Sequence, residues 1–422
     1  MQTKICLISG ARSDWPLIEP LLDAARRQAV DAHLIVTGTH LSRRHGHTLD
    51  VILAAGWQPA RRLEILEIDD SPLAAARSTG RAVSLAADAL QELAPHWVVV
   101  AGDRYESFAA AVAATMLGQP LAHVGGGETD VATNQDGSLR NAITKLAHLH
   151  FVANTAAAQR IRALGEETWR IHAVGLPSLD ALKTRRRPRT QLAPIGLPAS
   201  GDFLLASFLP VTLRPDESFK HLDLMLDALD HIAQHKLCLL SNADAHADEH
   251  DARIRRWADG RRDATVVHSL PPELYATALA ECCCYVGNSS SGVIESPVFG
   301  TPAVIVGLRQ QGRLVAANTL ALEQPTAAAL LQAIRRQIAH GRFDVESPYG
   351  DGTAAARVLE TLCRLRSRPD LLTKRLSCEA DAPDSRPTDA TSAPCRLSEP
   401  AAPSGGVTST RHPRRLPAEA PP

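Results

Sequence analysis

The chain has 422 residues, with 45 Lys+Arg against 46 Asp+Glu and a net charge of −1. That length suggests two domains, and so even a charge balance excludes steering toward nucleic acid or an anionic membrane as the main business. Aromatic residues make up only 4 %, so the apolar 45 % is mostly Ala, Leu, Val and Ile, as suits packed helices and parallel strands.

Short apolar runs alternate with helical patterns from residue 4 to about residue 365. Lys4–Ser9 reads as a buried strand, Trp15–Arg27 as an amphipathic helix, His33–Thr37 as a second strand and Leu73–Leu93 as a long Ala-rich helix. Strand Trp97–Ala101, helix Tyr105–Leu117 and strands Leu121–Val124 and Leu149–Ala153 follow. Alternation of this kind predicts a parallel sheet covered on both faces. The stretch Pro177–Gly201 breaks the rhythm with Arg185-Arg186-Arg187-Pro188-Arg189 and three further prolines, which reads as an interdomain linker. The pattern restarts with strand Phe203–Phe208, helix Glu217–Gln234, strands Leu237–Leu240 and Thr265–His268, helix Glu273–Cys282 and strand Cys284–Gly287. Helix Ser291–Phe299, strand Ala303–Val306 and helical segments Pro325–His340 and Thr353–Leu365 complete it. The expectation is an α/β protein of two Rossmann-like, doubly wound parallel-sheet domains, with a ligand cleft between them at the carboxyl ends of both sheets. The predicted boundaries are 1–176, linker 177–201, 202–366 with a final helix crossing back, and a tail over 367–422.

Ten of the 28 prolines fall in the last 54 residues. From about Ser367 the composition turns to Pro, Ser, Thr, Arg and Ala without apolar periodicity, which predicts disorder. Eight cysteines are diluted in a large chain. Cys282, Cys283 and Cys284 are consecutive, lack metal-ligand spacing, and read as buried thiols of a reducing compartment. Met1-Gln2-Thr3-Lys4 and the apolar stretch broken at Gly10 are too short for a signal-peptide core. No apolar run nears the roughly 20 residues that span a bilayer. The protein is therefore expected to be soluble and cytoplasmic.

In open parallel sheets ligands bind just past the strands. Past the first strand comes Gly10-Ala11-Arg12-Ser13-Asp14. A guanidinium beside a helix N-terminus suits a diphosphate, although a surface arginine after a turn would look the same. Past Trp97–Ala101 stands Gly102-Asp103-Arg104, where Asp103 suits acid–base work or an N-cap. His123-Val124-Gly125-Gly126-Gly127-Glu128 follows, with Asp136 and Arg140 close behind. Its three glycines let backbone approach a ligand, but the run is neither a G-x-G-x-x-G fingerprint nor a P-loop, so it supports no dinucleotide or ATP site. In the second half, Gly287-Asn288-Ser289-Ser290-Ser291-Gly292-Val293-Ile294-Glu295 runs from a strand into a helix. Free amides and hydroxyls there make an anion site, and Glu295 suits sugar hydroxyls or a capping carboxylate. Arg309 and Arg313 add positive charge. His246-Ala247-Asp248-Glu249-His250 matches H-x-x-E-H, but it sits in a polar run with no third ligand, and His148 and His150 read as structural. No metal and no cofactor is expected.

With these residues placed, the chain resembles the hydrolysing UDP-N-acetylglucosamine 2-epimerase family, including the sialic-acid and legionaminic-acid pathway enzymes. Gly10–Asp14, Thr37-Gly38-Thr39-His40-Leu41, Gly102-Asp103-Arg104, Gly126-Gly127-Glu128, Arg140–His150 and the Gly287–Arg313 block carry the likeness, over roughly residues 4–365. The resemblance implies a GT-B architecture with UDP in the second domain, a UDP-sugar substrate and a homodimer. It also implies that Arg12 and Arg309 contact the diphosphate, Ser289, Ser290, Ser291 and Gly292 cradle phosphate, and Glu295 holds the ribose. His40, Arg140 and Arg313 would line the substrate, with Asp103, Asp136 and Glu128 as the acid–base carboxylates. The implied reaction removes the C2 proton with loss of UDP, then adds water to a glucal-type intermediate to release free N-acetylmannosamine.

Two positions depart from that pattern. Gly125 stands where the family has Glu or His, and Leu209 where a His precedes Pro210-Val211-Thr212. Neither replacement transfers a proton, so either Glu128 or His123 takes over or the enzyme acts on a different sugar. These departures leave open a GT-B glycosyltransferase with a UDP-sugar donor, or a catalytically silent UDP-sugar binder.

Overall fold

In the computed structural model, residues 2–68, 71–129, 136–198, 200–211, 214–241 and 247–377 are described. Buried apolar hexamers and pentamers such as Lys4-Ile5-Cys6-Leu7-Ile8-Ser9 and Trp97-Val98-Val99-Val100-Ala101 can satisfy their backbones only inside a sheet covered on both faces. They do so in two all-parallel sheets, joined into one compact unit.

The first sheet contains β1 (Lys4–Ser9), β2 (Asp31–Thr37), β3 (Arg61–Leu63), β4 (Trp97–Ala101), β5 (Leu121–Val124), β6 (Leu149–Val152) and β7 (Ile171–Ala173). Its crossovers are α1 (Trp15–Arg27), α2 (Leu49–Ala54), α3 (Pro72–Leu93), α4 (Tyr105–Met116), α5 (Asp136–Leu146) and α6 (Thr155–Ala163). After the short α7 (Leu182–Arg185), the second sheet contains β8 (Phe203–Ser207), β9 (His235–Leu239), β10 (Ala264–Val267), β11 (Cys284–Gly287), β12 (Ala303–Val306) and β13 (Thr319–Leu322). With it go α8 (Pro215–Asp230), α9 (Ala247–Ala258), α10 (Pro272–Glu281), α11 (Ser291–Ile294), α12 (Ala327–His340) and finally α13 (Ala354–Leu365).

The strand orders are β3-β2-β1-β4-β5-β6-β7 and β10-β9-β8-β11-β12-β13. Each order reverses direction once, between β1 and β4 and between β8 and β11, and such switch points open crevices at the strands' carboxyl ends. Register across them pairs Leu7 with Val99 and Val286 with Ala206. α13 returns to the first half, where Val358, Leu359 and Leu362 join the core of Ile5, Leu7 and Trp97, and Trp97 Nε1 donates to Leu362 O at 2.9 Å.

Segment 177–201, read as an interdomain linker, is packed: Leu179, Leu182, Leu192 and Leu197 bury against Phe203 and Leu205. Two expectations need correction. The helix expected over Ser291–Phe299 is split into the single α-helical turn of α11 and a 3₁₀ turn, Ser296–Phe299, as Pro297 cannot donate to an α-helical ladder. The first eleven residues of the expected disordered tail, 367–377, are ordered, with Leu371 buried in the first core; the remainder lies outside the described residues.

At Gly287, where β11 ends, a Cβ would lie 1.9 Å from Ser207 O on β8, and the backbone holds φ +153°. Gly287→Ala must push the two central strands apart, so the melting temperature should fall by about 6 °C or more. Calorimetry showing a wild-type melting temperature would contradict this close approach.

Candidate active site

The loop after β1 is tied by Asp14, whose Oδ2 accepts from Gly10 N at 2.9 Å and Ala11 N at 3.1 Å. Burial, then the neighbouring Glu106, push the Asp14 carboxyl up to about 7. Glu106 fills the space beneath both strand-end turns: a Cβ at Gly10 or Gly38 would lie 2.5 Å from its atoms. From there it holds Arg104, with Nε and Nη2 at 3.2 and 3.3 Å. Arg12 is exposed on the same loop.

Asp103 follows β4 and pairs with Arg140 Nη2, while Arg140 Nη1 donates to Glu128 O at 2.8 Å. The capping alternative is thereby excluded, since Arg104 holds the N-cap position of α4. Arg140, almost fully buried, thus brings the loops after β4 and β5 together from α5. Asp136 opens the same helix, but its side chain lies outside the described residues.

Gly127 has φ +75°, and a Cβ there would lie 2.5 Å from Ala157 O, so the loop packs its backbone directly on α6. Gly125 has φ +85° but open space around a Cβ, its nearest neighbour being Gly102 N at 3.9 Å. The family's missing side chain would therefore have room. Among the described residues Glu128 Oε1 is buried without a hydrogen-bond partner, and burial raises its carboxyl against the pull of Arg313, Arg160 and Arg140. Arg160 on α6 bridges the halves, donating to Gly127 O at 2.9 Å and to Gly312 O at 3.1 Å.

In the second half, Asn288 is the organiser. Its side chain accepts from Leu209 N at 2.7 Å and donates to Leu209 O at 2.8 Å. Its carbonyl accepts from Arg309 Nη1 at 3.2 Å and Gln310 Nε2 at 2.9 Å. Gln310 Oε1 in turn accepts from Arg313 at 2.7 Å. Ser289, Ser290 and Ser291 are half-buried at the end of β11. Tyr275 donates to Glu295 Oε2 at 2.9 Å, and burial raises the Glu295 carboxyl.

Three candidates are also fixed by the fold. His40 is fully buried, with Nε2 at 2.8 Å from Ser9 Oγ and Nδ1 at 2.7 Å from Thr48 Oγ1. It braces the first loop. His123 cannot stand in for a missing proton carrier, because its nitrogens meet Gly102 O at 2.7 Å and Thr144 Oγ1 at 3.2 Å, and burial lowers it to about 3. Gly292 is required by packing: a Cβ would lie 2.6 Å from both Tyr285 and Ile305. The one-turn α11 also supplies little dipole, so positive charge at this site rests on Arg309 and Arg313.

His250 of the H-x-x-E-H run bonds Ser218 Oγ at 2.9 Å and stacks on Phe219, while His246 lies outside the described residues. No described group of three or more His, Cys, Asp or Glu is arranged to hold a metal ion. Cys282 and Cys284 are buried and Cys283 is half-buried. A cavity of about 790 Å³ is lined by Asn154, Asp180, Leu314, Ser347 and Arg357, but by none of Asp103, Glu128, Ser289 or Arg309. No described helix is long and apolar enough to cross a membrane.

The family model of UDP-N-acetylglucosamine 2-epimerase matches residues 23–363. The chain belongs to that family. A Campylobacter jejuni relative, GDP/UDP-N,N'-diacetylbacillosamine 2-epimerase (hydrolyzing), is 29 % identical over 325 residues, covering 75 % of this chain and 83 % of its own. The UDP-N-acetylglucosamine 2-epimerase of Neisseria meningitidis is 27 % identical over 365 residues, covering 85 % and 94 %. A crystal structure of the Neisseria meningitidis UDP-GlcNAc 2-epimerase bound to UDP-GlcNAc superposes with TM-score 0.71 and 15 % identity, covering 86 % of this chain and 100 % of that one. The two-sheet architecture is therefore the GT-B-like fold of this 2-epimerase family. Sequence reasoning gave no role to Arg160, Asn288 or Gln310, whose partners Gly127, Leu209 and Asn288 stand 33, 79 and 22 residues away. Only their positions just past strands or on a crossover helix marked them.

The buried histidines carry a consequence for stability. His40 and His148 are lowered to about 4 and His123 to about 3, each mainly by burial. Unfolded imidazoles protonate at about pH 6.5, so between there and about pH 4 the unfolded chain binds more protons and stability is lost as pH falls. Asp14 has the opposite sign, its contribution being lost as pH rises through about 7. The melting temperature should fall as pH is lowered from about 7 to about 5, and a flat profile by differential scanning fluorimetry would contradict this.

Proposed function

We propose that the protein is a hydrolysing 2-epimerase of UDP-N-acetylglucosamine or a related UDP-2-acetamido sugar. It would release UDP and the free 2-epimer, of N-acetylmannosamine type, through a glucal-type intermediate. The observation that carries this reading is Arg140, which pairs with the Asp103 carboxylate after β4 and holds the backbone carbonyl of Glu128 after β5, while the Glu128 carboxyl feels Arg313 from the second half.

The C2 proton lies beside no carbonyl and is weakly acidic, so departure of UDP must be strongly assisted. Arg12 and Arg309 on the diphosphate, with the hydroxyls and amides of Ser289–Ser291, stabilise the charge that develops there. Glu295, steadied by Tyr275, accepts from the ribose. Asp103 is placed to take the C2 proton, with Asp136 as the second carboxylate. Burial raises the Glu128 carboxyl and so favours its protonated form, and Glu128 would supply a proton as water adds to the intermediate. It takes over from the side chain that Gly125 lacks.

Incubating the protein with UDP-N-acetylglucosamine in deuterated water should yield UDP and a free sugar carrying deuterium at C2. Absence of both products would sink the reading. A second reading is favoured by Gly125 and Leu209, which remove two proton carriers: a GT-B glycosyltransferase using the same UDP-sugar as donor. UDP release that begins only when an acceptor is added would select it, and binding without turnover would select a silent UDP-sugar binder. The homodimer and the cytoplasmic location are part of the proposal, and sedimentation analysis checks the first.

A further inference from the structure

The helix that carries Arg140 is held from behind by a segment beyond the residues the family model matches. Residues 367–377 run back across the first half. Arg170, fully buried, anchors them: it donates to Leu371 O and Thr373 O at 2.8 Å each and to His148 O at 3.1 Å. The Trp169 ring lies between the guanidiniums of Arg170 and Arg368, at 4.2 and 3.6 Å. This anchor delivers Lys374 to the end of α5. Its Nζ meets Lys145 O and Ala147 O at 2.7 Å each and Thr144 O at 3.4 Å. It also pairs with Glu166 at 2.8 Å, a buried carboxylate bonded to His150 at 3.1 Å and Lys145 at 2.5 Å.

The last carbonyls of a helix have no partner within it, and a cation placed there satisfies them and complements the dipole. Lys374 does this for the helix that carries Arg140. Thr144, on the last turn of α5, also contacts His123, which holds Gly102 O next to Asp103. An α-helix is stiff over about 10 Å, so a shift at its C-terminal turn is carried to Arg140.

We propose that Lys374 is a positioning residue: by clamping the carbonyl end of α5 it sets where Arg140 stands against Asp103 and Glu128. This rests on the 2-epimerase reading above. The strap is then a working part of the enzyme, although it follows the residues that the family model matches.

The test uses the full-length chain carrying Lys374→Met, which keeps the stem and removes the donors, with Lys374→Gln as a second variant. Misplacing a catalytic group by a fraction of an ångström is felt in the rate. The kcat for UDP release should fall about tenfold in Lys374→Met, with KM within about twofold. Hydrogen exchange at the amides of residues 143–147 should accelerate while the β8–β11 region stays at wild-type rates. A kcat within twofold of wild type in either folded variant would overturn the proposal, as would exchange that accelerates evenly through both halves. If the unmodified protein releases no UDP, the 2-epimerase reading fails by itself. The clamp is then judged by exchange alone: acceleration confined to α5 supports it, and unchanged exchange overturns it.

Discussion

Asp103→Asn is expected to lower kcat for UDP release from UDP-N-acetylglucosamine by about 10²–10⁴, with KM changed only a few-fold and the melting temperature unaltered. The expectation follows from how the side chain is held. Asp103 ends β4 beside the first switch point and is paired with Arg140, which is independently fixed by Glu128 O. Asparagine has the same shape and retains an oxygen for the guanidinium, and Arg140 keeps its second anchor. The loop geometry should therefore survive, and only the ability to accept a proton is lost. If Asp103 served only to seat Arg140, the isostere would keep most of the rate. A kcat within about fivefold of wild type would therefore remove Asp103 from the chemistry. Steady-state UDP release at saturating substrate, beside calorimetry of the same preparation, decides between them.

Much of the frame was legible because it is local. Each buried parallel strand is a contiguous apolar run, so Lys4–Ser9, Trp97–Ala101, Leu121–Val124 and Cys284–Gly287 could be placed to the residue. Short or polar elements were harder. β3, β7 and β13 have three or four residues, and α9 is so rich in Asp, Glu and Arg that its apolar face is reduced to a few positions. Segment 177–201 looked like a linker because its buried leucines are spaced by prolines and arginines rather than by a helical period. The glycines after β1, β2 and β5 could be recognised as loop residues, but not the reason for them. Glu106 beneath Gly10 and Gly38, and Ala157 O against Gly127, come from other parts of the chain.

The site shows the same division. Asp103, Arg140, Ser289–Ser291, Glu295 and Arg309 stand just past strands or on the crossover beside them, which a reading of strand ends finds. What holds them does not announce itself. Asn288 reaches across 79 residues to clamp both backbone groups of Leu209. With that clamp, Leu209 keeps the backbone of its loop tied to β11 although its side chain can carry no proton. His40 and His123 look like reactive groups in a sequence. The structure spends both nitrogens of each on loop bracing.

Glu128→Gln should reduce the rate by about 10²–10⁴ and abolish an alkaline limb in the pH–rate profile. Burial is the first cause of the raised Glu128 carboxyl, and Arg313, Arg160 and Arg140 only partly oppose it. A proton donor must be protonated to act, so the wild-type rate should fall as pH rises through a value above the ordinary carboxylate range. Glutamine cannot titrate, and its slower residual rate should be flat there. Stability should move the other way. A carboxyl whose folded value is raised binds its proton more tightly when folded, so its contribution is lost as pH rises through that value. At neutral pH the wild type must keep an acid in a site that disfavours its charge, with Oε1 unpartnered. Removing the charge should raise the melting temperature there, and the gain should vanish near pH 4, where both folded and unfolded carboxyls are protonated in large part. A structural acid would show the opposite pairing, since losing an ion pair with three arginines nearby would lower stability at neutral pH. Slower turnover in a more stable protein would therefore identify Glu128 as a group held in place for chemistry at the expense of the fold.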